Sequence, residues 1–118
     1  MSRRVLVVED ESLIAMLIED LIADVGFQVQ HMTATVDAAL SALAQGDIDL
    51  ALLDVNLAGT PSFPVAEKLI ERGIPFVFTT GYGQAGVPGQ FSNVPVLQKP
   101  FRRAELEAAL VACLPQQQ

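Results

Sequence analysis

The sequence predicts an α/β protein in which one parallel sheet is covered by helices on both faces. Five short apolar segments alternate along the chain with segments whose apolar residues recur at helical spacing. The first apolar segment, residues 5–8, is a continuous run of valine and leucine, which is typical of a strand buried on both faces. Because strands that alternate with helices are joined by right-handed crossovers, this order of elements favours a doubly wound parallel sheet.

The elements can be placed in order from their apolar runs and end signals. The predicted strands are residues 4–8, 27–32, 50–53, 76–78 and 94–97. The predicted helices carry their apolar residues over 13–22, 36–43, 65–70 and 106–113. Gly26 is expected to end the first helix, Thr35 to cap the second, and Ser62 to cap the third, with Pro64 in its first turn.

The segment between the fourth and fifth strands departs from this alternation. Residues 81–93 contain four glycines and Pro88, and their apolar residues show little helical periodicity. Glycine and proline both interrupt regular structure. We therefore expect the fourth helix to be short or replaced by a loop.

Composition and charge exclude several classes of function. The 118 residues include 7 Lys+Arg against 14 Asp+Glu, a net charge of −7. A nucleic acid or an anionic membrane would require a basic surface, so we expect neither as a partner. One cysteine, Cys113, and one histidine, His31, exclude a disulfide framework and a multi-cysteine zinc site. No apolar run approaches the roughly 18 residues of a membrane span and no signal peptide is recognisable, so we expect a single cytoplasmic domain without an output domain.

Polar side chains follow four of the predicted strands at the point where each strand ends. They are Glu9 and Asp10 after strand one, Asp54 after strand three, Thr79 and Thr80 after strand four, and Lys99 after strand five. Ligands of open parallel sheets bind at this edge. If strands one and three are neighbours, three carboxylates converge, and their repulsion favours a cation such as Mg²⁺. A lysine and a threonine hydroxyl on the other side of the metal would bind an anion. The pattern therefore predicts a phosphoryl group held between the metal ion and the lysine ammonium, with Asp54 as its acceptor.

Four segments at these strand ends resemble the response-regulator receiver domain of two-component signalling. They are Val-Leu-Val-Val-Glu-Asp-Glu at 5–11, Leu-Leu-Asp-Val-Asn-Leu at 52–57, Thr-Gly at 80–81 and Lys-Pro-Phe at 99–101. The resemblance implies a flavodoxin-like sheet with strand order 2-1-3-4-5. It further implies that Asp54 accepts a phosphoryl group from a sensor histidine kinase or a phosphotransfer protein, that Thr80 and Lys99 bind its oxygens, and that the Lys99–Pro100 peptide bond is cis.

The same resemblance implies a Mg²⁺ site and a role in signalling. Asp10 and Asp54 would bind the metal directly, Glu9 through water, and Asn56 through its backbone carbonyl. The protein would not be an enzyme beyond slow hydrolysis of its own phosphoaspartate. It would signal by contact with a downstream protein or by passing the phosphoryl group onward.

Residues 75–83 and 94–101 resemble the signature of the FAT GUY subgroup of receivers, which reads PFxFATGY followed by P and KPF. Thr79 is a departure, because the signature has alanine at that position. The subgroup implies a partner kinase of the HWE or a related type. Val96 stands where receivers usually carry a switch aromatic. Tyr82, near the pocket rim, has three open roles: shielding the phosphoryl group, replacing that aromatic, or anchoring the loop.

Three other functions compete with this interpretation. A phosphatase of the haloacid dehalogenase type would need a second carboxylate two residues after the nucleophile, where this chain has Asn56. A flavodoxin-like carrier of FMN would need a phosphate loop after strand one, where residues 9–11 are acidic. A pseudo-receiver that acts as a phosphate-independent scaffold would not need the pocket groups that this sequence retains.

Overall fold

The computed structural model describes residues 3–81 and 87–114. Five strands of these residues form one parallel sheet, and two short strands form a hairpin. The strands are β1 (Arg4–Val8), β2 (Gln28–Thr33), β3 (Leu50–Asp54), β4 (Asn56–Leu57), β5 (Thr60–Pro61), β6 (Phe76–Thr80) and β7 (Val96–Gln98). The sheet order is β2-β1-β3-β6-β7. Counting only these five strands, the order is 2-1-3-4-5, so the flavodoxin-like prediction is confirmed.

Four helices of the described residues cover the sheet. They are α1 (Ser12–Asp24), α2 (Val36–Gln45), α3 (Phe63–Glu71) and α4 (Arg103–Cys113). The Oγ1 of Thr35 accepts a hydrogen bond from the Ala38 N–H at 3.1 Å, as predicted for the cap of α2. Ser62 occupies the N-cap position of α3, but its side chain makes no capping hydrogen bond. Within the described residues, no helix is both long enough and apolar enough to cross a membrane.

The core has two halves because successive strand residues point to opposite faces of the sheet. On one face, Leu6, Leu53 and Phe78 pack with side chains of α2 and α3. On the other, residues such as Val7 and Leu52 pack with side chains of α1 and α4. All five residues of β3 are buried. Packing on both faces fixes the carboxyl ends of the strands, where the candidate site lies.

The fourth crossover contains one short 3₁₀ turn, Gly89–Phe91, in its described part. This confirms that the fourth helix is reduced, and residues 82–86 lie outside the described residues. The starts of β2 and β7 differ from the prediction for a common reason, and β2, β3, β6 and β7 each end one or two residues later than predicted. The Phe27 N–H bonds to the Ile22 carbonyl at the end of α1, and the Val94 N–H bonds to the Phe91 carbonyl. Both residues therefore belong to turns, so β2 and β7 begin after them.

The β4–β5 hairpin was not predicted. Its two turn residues have positive φ, 53° at Ala58 and 90° at Gly59, as a type I′ turn requires. Alanine is seldom found at such a position, and strands of two residues leave no periodic pattern. The hairpin begins two residues after Asp54, and its residues Asn56 and Ala58 line the candidate site.

Candidate functional site

Three carboxylates meet at the carboxyl edge of the sheet. Asp54 ends β3, while Glu9 and Asp10 follow the neighbouring strand β1. One carboxylate oxygen from each residue lies within 4.8 Å of those of the other two. The predicted pairing of strands one and three therefore brings these groups together. Oxygen donors at this spacing suit a hard divalent cation such as Mg²⁺.

Lys99 joins two of these carboxylates. Its Nζ donates to Glu9 Oε1 at 2.8 Å and to Asp54 Oδ2 at 2.9 Å. The Lys99 side chain is 16% exposed, against 1% for Glu9 and 7% for Asp54, so these ion pairs are largely shielded from water. The Lys99 N–H also donates to the Thr80 carbonyl at 2.8 Å, and the following bond to Pro100 is cis as expected.

Burial and charge act in opposite directions on these groups. Burial raises the pKa of Glu9, and the nearby negative charge of Asp54 raises it further. The hydrogen bonds that Glu9 accepts from Lys99 and from the Glu11 N–H lower this pKa, but they do not cancel the rise. Burial would lower the pKa of Lys99, but its contacts with Glu9 and Asp54 outweigh burial and raise that pKa. The ammonium therefore stays charged at neutral pH and balances part of the acidic cluster.

The remaining oxygens of Glu9 and Asp54 accept hydrogen bonds from the backbone. The Glu11 N–H donates to Glu9 Oε2 at 3.1 Å, and the Asn56 N–H donates to Asp54 Oδ1 at 3.3 Å. The Asn56 side chain turns away to accept the Gly59 N–H at 2.8 Å, which stabilises the β4–β5 hairpin. Asn56 thus contributes its backbone to the pocket and its side chain to the turn.

Thr79 and Thr80 are both buried at the end of β6. Thr79 lies beside Asp54 in the strand register, and its carbonyl accepts the Val55 N–H at 3.0 Å. Thr80 lies beside Gln98 of β7, and Gln98 is the residue that precedes Lys99 in the chain. The structure therefore places both threonines at the predicted strand end.

A groove of about 860 Å³ extends from this cluster between α1 and the β7–α4 loop. Its apolar wall includes Ile14, Leu17 and Leu21 of α1, together with Pro100 and Phe101. The sequence analysis placed these residues on a helix without assigning them to a site, and Leu17 is 63% exposed. The signal was present in the width of the apolar stripe, since positions 13, 14, 17, 18, 21 and 22 exceed what one helix can bury against a sheet.

The other singled-out residues lie apart from the acidic cluster or outside the described residues. His31 is a half-buried residue of β2, which is an edge strand. Cys113 is half-buried near the end of α4, where its thiol contacts the Phe76 carbonyl at 3.6 Å. Burial raises the pKa of the Cys113 thiol, as expected for a packing residue. Tyr82 lies outside the described residues.

Comparisons with known proteins agree with this geometry. Residues 5–111 match the family model of the response regulator receiver domain. The solution structure of SdrG from Sphingomonas melonis Fr1 is 45% identical, with a TM-score of 0.87 over 97% of this chain and 98% of that chain. A second SdrG structure, described as the BeF3-activated conformation, has a TM-score of 0.83, the same identity, and coverage of 98% of this chain and 100% of that chain.

Two curated regulators are also similar. Transcriptional regulatory protein DltR of Streptococcus agalactiae is 35% identical over 91% of this chain and 50% of its own length. Phyllosphere-induced regulator PhyR of Methylorubrum extorquens is 30% identical over 97% of this chain and 44% of its own length. The chain thus spans about half the length of the curated relatives it matches. The family model covers most of the residues, and the sheet carries the acidic cluster at the edge where receivers have it. The chain therefore belongs to the response regulator receiver domain family.

Proposed function

We propose that this receiver domain accepts a phosphoryl group on Asp54 from a phosphohistidine of a sensor histidine kinase or a phosphotransfer protein. The observation that carries the proposal is the position of Asp54. It ends the central, fully buried strand, 2.9 Å from the Lys99 ammonium and beside two further carboxylates. A carboxylate so placed can attack phosphorus while cationic groups stabilise the charge on the transferred oxygens.

The transfer forms one bond and breaks another. A carboxylate oxygen of Asp54 attacks phosphorus in line with the phosphoramidate P–N bond, and the imidazole of the donor leaves with the electron pair of that bond. Lys99 releases Asp54 Oδ2 and binds an equatorial oxygen of the phosphoryl group, while Thr80 donates its hydroxyl to another. Water later attacks phosphorus, which restores the Asp54 carboxylate and releases inorganic phosphate.

The acidic cluster fits a Mg²⁺ ion because its donors are carboxylate oxygens within 4.8 Å of one another. Asp10, Asp54 and the Asn56 carbonyl would hold the ion directly, and Glu9 would do so through water, as the resemblance to other receivers implies. When bound, the ion supplies positive charge that offsets the charge of the phosphoryl oxygens.

The groove along α1 supports a protein as the phosphoryl donor. It runs into the pocket that holds Asp54, and its apolar wall is bordered by the acidic residues Asp10, Glu11 and Asp20. A helix with an apolar stripe and basic flanks would match this wall in shape and charge. We propose that such a helix carries the donor histidine, in a cytoplasmic kinase domain of the HWE or a related type.

Incubation with acetyl phosphate and Mg²⁺, followed by intact mass spectrometry, tests the acceptor. The wild-type protein should gain about 80 Da, the mass of one phosphoryl group, and Asp54→Asn should gain nothing. Asp47→Asn is the matched control, because Asp47 is exposed and has a φ of 66°, which asparagine tolerates. A phosphorylated Asp54→Asn protein would refute the assignment, and an unmodified wild-type protein would favour the scaffold function. Steady release of phosphate from a generic ester would favour a phosphatase.

A further inference from the structure

The groove that leads into the acidic cluster is polar at one end and apolar along its length. Asp54, Thr80 and Lys99 line the polar end, while Leu17, Leu21 and further apolar side chains line the rest. Its volume of about 860 Å³ lies within the range of about 300–1,000 Å³ in which proteins bind small molecules, and such sites combine apolar walls with a few polar groups. The groove therefore has the size and the wall composition of a site for a small amphipathic molecule.

Charge determines which end of such a molecule would enter the acidic cluster. Among the described residues that line the groove, Lys99 is the one with a cationic side chain, and its ammonium lies 2.9 Å from Asp54 Oδ2. Asp20 borders the apolar wall about two helical turns beyond the start of α1, and its carboxylate would repel an anion there. An anionic head group is thus favoured beside Lys99, and the remainder of the molecule should be uncharged.

The burial of Asp54 determines where a leaving group must lie during phosphoryl transfer. The Asp54 side chain is 7% exposed, and it is reached through the groove that it lines. In-line attack places the leaving group on the side of phosphorus opposite the attacking oxygen. The leaving group therefore points away from Asp54 and outward, beside the apolar wall whose first residue on α1 is Ile14.

Exposed apolar surface on α1 is available to a leaving group that carries a chain. Leu17 is 63% exposed, and Leu21 and Phe101 are half-buried. From Ile14 to Leu21 the wall extends over about 10 Å of helix. A chain that lies along this wall removes apolar surface from water on both molecules, whereas an acetyl group is too short to do so.

We propose that the groove selects small phosphodonors with an apolar acyl chain, so that medium-chain acyl phosphates phosphorylate Asp54 faster than acetyl phosphate. A carboxylate oxygen of Asp54 attacks phosphorus, the bond between phosphorus and the acyl oxygen breaks, and its electron pair leaves with the fatty carboxylate. The chain lies against Leu17, Leu21 and Phe101. The inference rests on Asp54 being the phosphoacceptor, and it adds the chemical class of small donor that this site prefers.

The rates of phosphorylation by octanoyl phosphate and by acetyl phosphate, measured with Mg²⁺ by intact mass spectrometry, test the inference. The two donors release carboxylates of nearly equal basicity, so their P–O bonds have similar intrinsic reactivity. A difference between the second-order rate constants therefore reports binding of the chain. The wild-type protein should react at least about tenfold faster with octanoyl phosphate, because each buried methylene group strengthens binding. Equal rate constants would overturn the inference.

Two matched variants of α1 locate the effect. Leu17→Asn places an amide on the apolar wall and should reduce the ratio of the two rate constants to less than about a third of its wild-type value. Leu13→Asn is the control, because Leu13 is 77% exposed on the same helix but does not line the groove. It should keep the wild-type ratio. If both variants reduce the ratio equally, or if neither does, the chain does not bind in the groove and the inference is wrong.

A binding measurement separates the failure of this inference from the failure of the proposed function. Octylphosphonate has the anionic head and the apolar chain but no acyl phosphate bond, so it cannot phosphorylate Asp54. With Mg²⁺ it should shift the backbone amides of residues 14–21 more than methylphosphonate does. A wild-type protein that gains no mass from either donor overturns the proposed function and the inference with it. A protein that gains mass from both donors, but whose residues 14–21 respond equally to the two phosphonates, overturns the inference alone.

Discussion

Replacing Lys99 with methionine should destabilise the metal-free protein strongly. The substitution keeps the apolar volume of the side chain but removes the ammonium that donates to Glu9 at 2.8 Å and to Asp54 at 2.9 Å. Both carboxylates are almost fully buried, with side chains 1% and 7% exposed. They would face each other and Asp10 without a compensating cation.

The expected loss can be estimated from the cost of breaking a buried ion pair. Removing one partner of such a pair costs about 3–5 kcal/mol, and the residual exposure of Lys99 places this site near the lower value. For a domain of this size, a loss of about 3 kcal/mol corresponds to a decrease in Tm of roughly 10 °C. Thermal denaturation at pH 8 without Mg²⁺, followed by circular dichroism, measures it directly.

The pH dependence gives a second check. Since the pKa of folded Glu9 is raised above its ordinary value, the folded state holds a proton that the unfolded chain has already released between those two pKa values. The contribution of Glu9 to stability therefore decreases as the pH rises through that interval. Without Lys99 the pKa of Glu9 should rise further, so the deficit of the variant should be smaller at pH 5.5 than at pH 8.

Lys68→Met provides the matched control. The Lys68 ammonium also forms an ion pair, with Glu71 at 3.1 Å, but both side chains are exposed. Exposed pairs contribute little, about 0–1 kcal/mol, so the control should lose at most a few degrees of Tm. If Lys99→Met were as stable as this control at pH 8, or if its deficit grew on acidification, the ion-pair reasoning would be wrong.

Three further predictions each concern the replacement of one residue. Asp10→Ala should remove most of the rise in Tm that Mg²⁺ produces by mass action, and an unchanged rise in a Mg²⁺ titration would exclude Asp10 as a ligand. Ala58→Asn should raise the free energy of unfolding by up to about 1 kcal/mol in urea titrations, because asparagine tolerates the positive φ of 53° at that position; a loss would contradict the turn assignment. Ser62→Ala should leave the free energy of unfolding unchanged or raise it by up to about 1 kcal/mol, since its buried hydroxyl has no described hydrogen-bond partner; a loss above about 1 kcal/mol would indicate a bond that the structure does not show.

Most of the fold could be predicted because its elements leave periodic patterns. The buried strands β1 and β3 are apolar runs, and Thr35 and Gly26 mark helix ends by their local chemistry. The convergence of Glu9, Asp10 and Asp54 followed from the order of the strands, since these groups lie at or just after the ends of β1 and β3. Features that depend on local pattern were therefore accessible from the sequence.

The features that escaped prediction depend on three-dimensional detail. The strand starts at Gln28 and Val96 depend on backbone hydrogen bonds of the preceding residues, which no side-chain pattern encodes. The β4–β5 hairpin relies on an alanine at positive φ, against the usual preference. The exposure of Leu17 depends on how much of α1 the sheet can cover. Likewise, a sequence indicates that Lys99 lies near the acidic cluster but not which carboxylates it joins.

The two bonds of the Lys99 ammonium also have a consequence for folding. They connect residues that are 90 and 45 positions apart in the chain, so they form only after β7 has docked on β6. Closing loops of this length carries an entropic cost that must be met before such contacts stabilise the chain. Until then, Glu9 and Asp54 would be brought together as β1 pairs with β3, without the cation that balances them. A partly folded chain therefore lacks a finished acceptor pocket, and competence to receive a phosphoryl group arises together with completion of the sheet.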